Sequence, residues 1–136
     1  MQISELAARA GVTVKAVRYY ERLGLLLPQR LANGYRDYGA EELRAVREIR
    51  ELAATGIPPG KAAPFIACLH SGHERSDECP ASVEAYRDGI AELDAAIATL
   101  ERRRQQLSRR LADTEGRIPA APEPLCALAL SATAPR

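Results

Sequence analysis

The stretch that decides the fold is Thr13-Val14-Lys15-Ala16-Val17-Arg18-Tyr19-Tyr20-Glu21-Arg22-Leu23-Gly24. Thr13 is a favoured helix N-cap, because its hydroxyl accepts from a first-turn amide that has no partner within the helix. Ala16, Val17, Tyr20 and Leu23 then recur at helical spacing, and Gly24 closes the segment. Upstream, Ser4 reads as a second N-cap, Leu6, Ala7 and Ala10 form a short apolar face, and Gly11 suits a sharp turn. Two short helices joined by a glycine-containing turn make a helix-turn-helix, whose second helix is shaped to enter a major groove.

Downstream lies Leu25-Leu26-Leu27-Pro28, then Gln29-Arg30-Leu31-Ala32-Asn33-Gly34-Tyr35-Arg36-Asp37-Tyr38. Asn-Gly is the strongest short hairpin signal, and here it predicts a β-wing with Tyr35 and Tyr38 beside bases. A third helix is expected from about residue 40 to 55, with Leu43, Val46, Ile49, Leu52 and Ala53 inward and Gly56 at its end. Pro58-Pro59 begins a fourth, which Pro64 keeps short or kinked, because proline inside a helix removes a hydrogen bond.

From Leu69 to Pro80 the periodicity vanishes, which predicts a loop over residues 69–81. The apolar pattern then resumes at Val83, Tyr86, Ile90, Leu93, Ile97, Leu100, Leu107 and Leu111, a heptad seam with Arg104 in its one interrupted position. A helix over 82–113 is a rod of roughly 45 Å, too long for one small head to cover. The cheapest partner for its seam is a second copy of the chain. The domain plan is therefore 1–68 for the head with its connecting helices, 69–81 for the loop, 82–113 for dimerisation and 114–136 for a flexible Pro/Ala-rich tail. That tail holds Leu125-Cys126-Ala127-Leu128, an apolar patch suited to docking.

At 136 residues the chain is one domain or two very small ones. Aromatic residues are only 4%, which favours Ala/Leu-rich helices over a β-sandwich. The net charge of +1 excludes a polycationic coat for nucleic acid or membrane, but it is an average. The first 39 residues carry six bases against three acids, net +3, and the remainder is net −2. A basic head on a neutral scaffold is the distribution of a DNA-reading module. No apolar run approaches the roughly 20 residues that span a bilayer, and Met1-Gln2-Ile3-Ser4 leads straight into a polar segment unlike a signal peptide. A cytoplasmic protein with no membrane partner is expected. Three cysteines, an odd number in a reducing compartment, argue against a disulfide framework and for free thiols, metal ligands or redox chemistry.

Helix-turn-helix, wing, two helices, loop and long helix, in that order, resemble the MerR family of bacterial transcription regulators. The strings that carry the resemblance are Ile3-Ser4-Glu5-Leu6-Ala7 into Gly11-Val12-Thr13, then Ala16 to Leu26 with its Arg-Tyr-Tyr-Glu, and Asn33-Gly34-Tyr35-Arg36-Asp37-Tyr38. The match covers about residues 1–113. It implies a mainly α fold: a winged helix-turn-helix DNA-binding domain followed by a long antiparallel coiled-coil dimerisation helix. It further implies a homodimer on double-stranded promoter DNA, acting with RNA polymerase on the same promoter, where an effector-biased change bends and untwists the DNA.

By that resemblance Thr13, Val14, Lys15 and Arg18 present from the recognition helix, with Arg18 nearest a base edge or phosphate. Tyr19, Tyr20, Arg30, Asn33, Gly34, Tyr35, Arg36 and Tyr38 hold the DNA backbone. Tyr20, at helical spacing from Val17, reads equally well as core, and Glu21 as the partner of a neighbouring base.

Four of the five Cys and His residues cluster in one stretch, as Cys68, His70, His73 and Cys79. Thiolate and imidazole are the ligands that soft and borderline ions such as zinc prefer, so these four, with Cys126 of the partner, are a candidate metal set. The spacing matches no standard zinc motif. By resemblance Cys79 sits where thiol-liganded metal sensors of the family place one cysteine, whereas their paired-cysteine loop after the long helix is missing. Thiol redox sensing by Cys68 and Cys79 is the second reading, and cysteines and histidines without a sensing role are the third. Acidic neighbours Glu74, Asp77 and Glu78 favour a cation over a reactive thiolate. A regulator that senses nothing and only shapes DNA is the alternative function. An enzyme is not expected, because both histidines lie in the loop and no catalytic triad, phosphate loop or acid/base pair sits on a rigid element.

Overall fold

The computed structural model describes residues 1–118. Its elements are α1 (Ile3–Ala10), α2 (Val14–Arg22), β1 (Gln29–Arg30), β2 (Arg36–Asp37), α3 (Ala40–Ala54), α4 (Ala63–His70) and α5 (Pro80–Arg117), with a 3-10 turn at Pro59–Lys61. The tail from 119 onward, with Cys126 and its apolar patch, lies outside the described residues. Two compact units divide the chain, Met1–Glu92 and Leu93–Arg136.

The first unit carries all the elements up to the opening turns of α5. Thr13 caps α2 as its chemistry predicts, with Oγ1 accepting from Ala16 N–H at 3.1 Å. Ser4 does not cap α1: it lies inside the helix, and Gln2 holds the cap position without a side-chain bond. Gly11 turns the chain at φ +70°, a left-handed conformation that favours glycine, and a β-carbon there would also have to displace the flexible end of Arg50.

The wing is an antiparallel pair with Gln29 opposite Asp37 and Arg30 opposite Arg36. Gly34 N–H donates to Leu31 C=O at 2.9 Å and Leu31 N–H to Tyr35 C=O at 2.8 Å. Gly34 alone takes positive φ, +85°, while Asn33 does not. The loop is thus a β-turn followed by a glycine bulge, rather than the mirror-image turn in which both residues of Asn-Gly are left-handed. Asn33 contributes through its side chain, whose Oδ1 accepts from Tyr35 N–H at 3.1 Å. The N-terminal ammonium fastens β2, donating to Asp37 Oδ1 and Tyr38 C=O, each at 2.7 Å.

In α3, Leu43, Val46, Ile49 and Leu52 are buried as expected, but Ala53 is exposed and Ala45 takes the inward place. Ala45 lies one helical turn before Ile49, on the same face. The prolines resolve the next segment into two pieces: Pro59 opens the 3-10 turn, and Pro64 falls in the first turn of α4, where its missing N–H costs nothing. Phe65, fully buried on α4, meets Tyr86 of α5 edge-on, with ring centroids 4.9 Å apart.

Helix α5 outruns its expected bounds at both ends. In the second unit its apolar positions Leu93, Ile97, Leu100, Leu107 and Leu111 are all at least 53% exposed. No described helix is long and apolar enough to cross a membrane.

Candidate DNA interface and thiol cluster

Helix α2 buries Val17 and Tyr20 and turns Lys15, Arg18, Tyr19 and Arg22 to solvent. An open cleft of about 570 Å³ separates it from the wing, lined by Arg18, Glu21, Arg22, Tyr35, Arg36 and the end of β2. Arg36 pairs with Glu21 at 3.2 Å and stays half-exposed, which is the neighbouring-base pairing expected of that glutamate. Arg22 lies over the Tyr19 ring, 5.7 Å from its centroid. Among the described residues Lys15, Arg18, Arg22 and Arg30 have no ion-pair partner. Arg30 and Arg36 stand directly opposite across the wing, a like-charge pair that disfavours the hairpin unless an anion shares them.

Tyr38, expected to hold a DNA backbone, is placed differently, and Tyr20 takes the core position that its spacing from Val17 also allowed. Tyr20 is 6% exposed and Tyr38 1%. Tyr20 lies on the apolar face of α2, and Tyr38 follows a strand pinned by the N-terminus. The Tyr38 hydroxyl donates to the Glu21 carboxylate. Burial, and then that carboxylate, push its pKa well above the ordinary tyrosine value. Tyr38 thus braces Glu21, which in turn holds Arg36. Val14 is also half-buried against the core, and the Thr13 oxygen serves the helix cap. Tyr19, Arg30, Asn33, Gly34, Tyr35 and Arg36 remain exposed. Sequence reading missed Arg22, whose signal was its place four residues after Arg18 on the same helix face.

The second site lies where α4 gives way to α5. The structure bonds Cys68 to Cys79 as a disulfide with Cα atoms 5.8 Å apart, which corrects the expectation of free thiols. Cys68 is buried at the end of α4, and Cys79 caps α5, its C=O accepting from Ser82 N–H at 3.0 Å. The two helices meet through the Phe65–Tyr86 contact, and this packing brings together two cysteines 11 residues apart. Cys68, His73 and Cys79 each offer a ligand atom within 4.8 Å of the others. His70 does not join them; it lines a different cleft with Leu27, Gln29 and Asp37. Two residues along a helix is more than half a turn, so Cys68 and His70 leave α4 on different faces.

Polar contacts tie the intervening loop to α3. Arg44 donates to the carbonyls of His73, at 3.2 Å, and of Glu74, while the Ser76 hydroxyl donates to Glu48. Arg75 clasps Asp77 through two bonds of 2.9 Å, and this guanidinium lowers the Asp77 pKa.

A family model described as the MerR HTH family regulatory protein matches residues 1–66. The HTH-type transcriptional regulator HmrR of Rhizobium leguminosarum bv. viciae is 32% identical over 108 residues, 79% of this chain and 81% of that protein. The HTH-type transcriptional regulator CueR of Yersinia pestis is 30% identical over 79% of this chain and 76% of its own. Among solved structures, the transcription regulator PbrR691 from Ralstonia metallidurans CH34 in complex with lead(II) is 26% identical. It aligns with a TM-score of 0.63 over 91% of this chain and 92% of that one.

Proposed function

Since the chain belongs to the MerR family of helix-turn-helix transcription regulators, we propose that it works as a homodimer, reading a pseudopalindromic promoter with its two heads and distorting that DNA in response to an effector. The cleft between α2 and the wing carries this reading. It gathers Arg18, Arg22 and Arg36 around one concave surface, with Glu21 the only acid lining it among the described residues. Phosphate contacts supply most of the affinity of such a surface and fix its register, and one or two base-edge contacts then read sequence.

Lys15, Arg18 and Arg22 face the groove from α2, with Arg18 the base-reading candidate. Tyr19, Arg30, Tyr35 and Arg36 hold phosphates, and Asn33 and Gly34 shape the wing tip. The seam of α5, from Val83 to Leu111, joins the two protomers, and Tyr86 divides its ring between that seam and Phe65. Two heads on one duplex set the half-site spacing, and bending 20–30 base pairs costs on the order of a few kcal/mol, which an effector with unequal affinity for two dimer states can supply. RNA polymerase is the partner that such a distortion addresses.

Selection from a randomised duplex library tests the reading. Enrichment of a pseudopalindrome whose half-sites lie a whole number of helical turns apart is expected. Recovery of unrelated duplexes, at the affinity of bulk DNA, would overturn it.

A further inference from the structure

We propose that, once the Cys68–Cys79 disulfide is reduced, Cys68, His73 and Cys79 of a single protomer bind one zinc-class divalent cation. Their ligand atoms already lie within 4.8 Å of one another. Ligands around a tetrahedral zinc ion sit roughly 3–4 Å apart, so closure needs shifts of about an ångström. Two thiolates and an imidazole are a borderline-to-soft donor set, which rejects magnesium and calcium.

Three features of the surroundings fit a cation. His73 Nδ1 lies 3.3 Å from a Glu78 carboxylate oxygen, and a carboxylate behind a ligating histidine fixes its ring and raises its basicity. Cys79 directly precedes α5, whose first turn donates to its carbonyl, so its sulfur stands near the positive end of the helix dipole, which favours a thiolate. Arg44 and Glu48 of α3 hold the loop that bears His73, so the three ligands are positioned before any ion arrives. A fourth position is left for water.

The chemistry balances as thiol–disulfide exchange. Two equivalents of a small thiol supply two electrons and two protons, leaving Cys68 and Cys79 as thiols and a new small disulfide. Both protons depart as the cation binds. The oxidised chain therefore excludes the ion, and the reduced chain admits it. The site stands apart from the proposed function, and only an effect of the ion on DNA binding would rest on that reading.

Cobalt(II), a spectroscopic stand-in for zinc, is titrated into the full-length protein, reduced with a phosphine and freed of oxygen. One cobalt per chain is expected, with a thiolate charge-transfer band that zinc bleaches. Cys79→Ser removes the band. Cys68→Ser does the same, with circular dichroism to confirm that its head is folded. His73→Ala keeps the band but weakens affinity by more than ~10-fold, and Glu78→Gln by about 10-fold. Cys126→Ser binds as tightly as wild type, because the site is complete without it. The unreduced protein binds no cobalt. Reduced protein with two countable thiols at 68 and 79 that shows no thiolate band, or a band lost in Cys126→Ser, would overturn the proposal. Failure of the same samples to bind DNA would instead count against the proposed function alone.

Discussion

The head and the far half of α5 use the same residue types to opposite ends. In the head Leu6, Val17, Ile49 and Phe65 are fully enclosed by one chain, and the core is finished. Beyond Glu92 the leucines and isoleucines of α5 are equally regular, yet each is more than half exposed. Apolar surface on that scale is stable only against something else apolar. A closed core makes a domain, and an open stripe makes a partner necessary. The largest expected effect follows from that difference: Leu100→Glu leaves the head's circular dichroism intact while sedimentation shows monomers. Operator affinity then falls by at least ~100-fold, because linked sites lose their effective concentration. A dimer surviving the charge would place the interface elsewhere.

Within the finished core the expected cost is stability rather than assembly. Phe65→Ala removes a ring with no exposure at the point where α4 meets α5. Denaturant unfolding of that variant should show a loss of about 3–5 kcal/mol. A loss under ~1 kcal/mol would mean that the site collapses around the smaller side chain.

The smallest effect concerns the brace behind the wing. The Tyr38 pKa is raised in the folded state, so its contribution is present below the unfolded value of about 10 and is lost as pH climbs above it. Tyr38→Phe should cost about 1–2 kcal/mol at neutral pH by removing the bond to Glu21. It should also flatten the decline in stability above pH 10. Melting curves of both proteins from neutral to alkaline pH check this, and parallel declines would contradict it.

The sequence made legible what local chemistry controls. Thr13 announced α2, the heptad intervals announced α5, and Asn33-Gly34 announced the wing, although the turn places only its glycine in the left-handed region. What stayed hidden depends on packing. Ala45 and Ala53 are equally small, and only neighbours decide which one faces inward. Tyr38 carries the residue type of a DNA contact, but the core claimed it. The bond between Cys68 and Cys79 follows from how α4 meets α5, which no count of cysteines reveals. The exclusion of His70 follows from α4 running on to that residue, where the sequence pattern predicts a loop, so that it leaves the helix on another face from Cys68.

The central claim is that the surface between α2 and the wing is where DNA binds. Arg36 is its most exposed test, held by Glu21 and facing Arg30 across the hairpin. Operator affinity is measured over a series of salt concentrations for wild type and Arg36→Ala. The variant should bind every sequence more weakly, with a salt slope lower by about one unit. Identical affinities at every salt concentration would contradict the account.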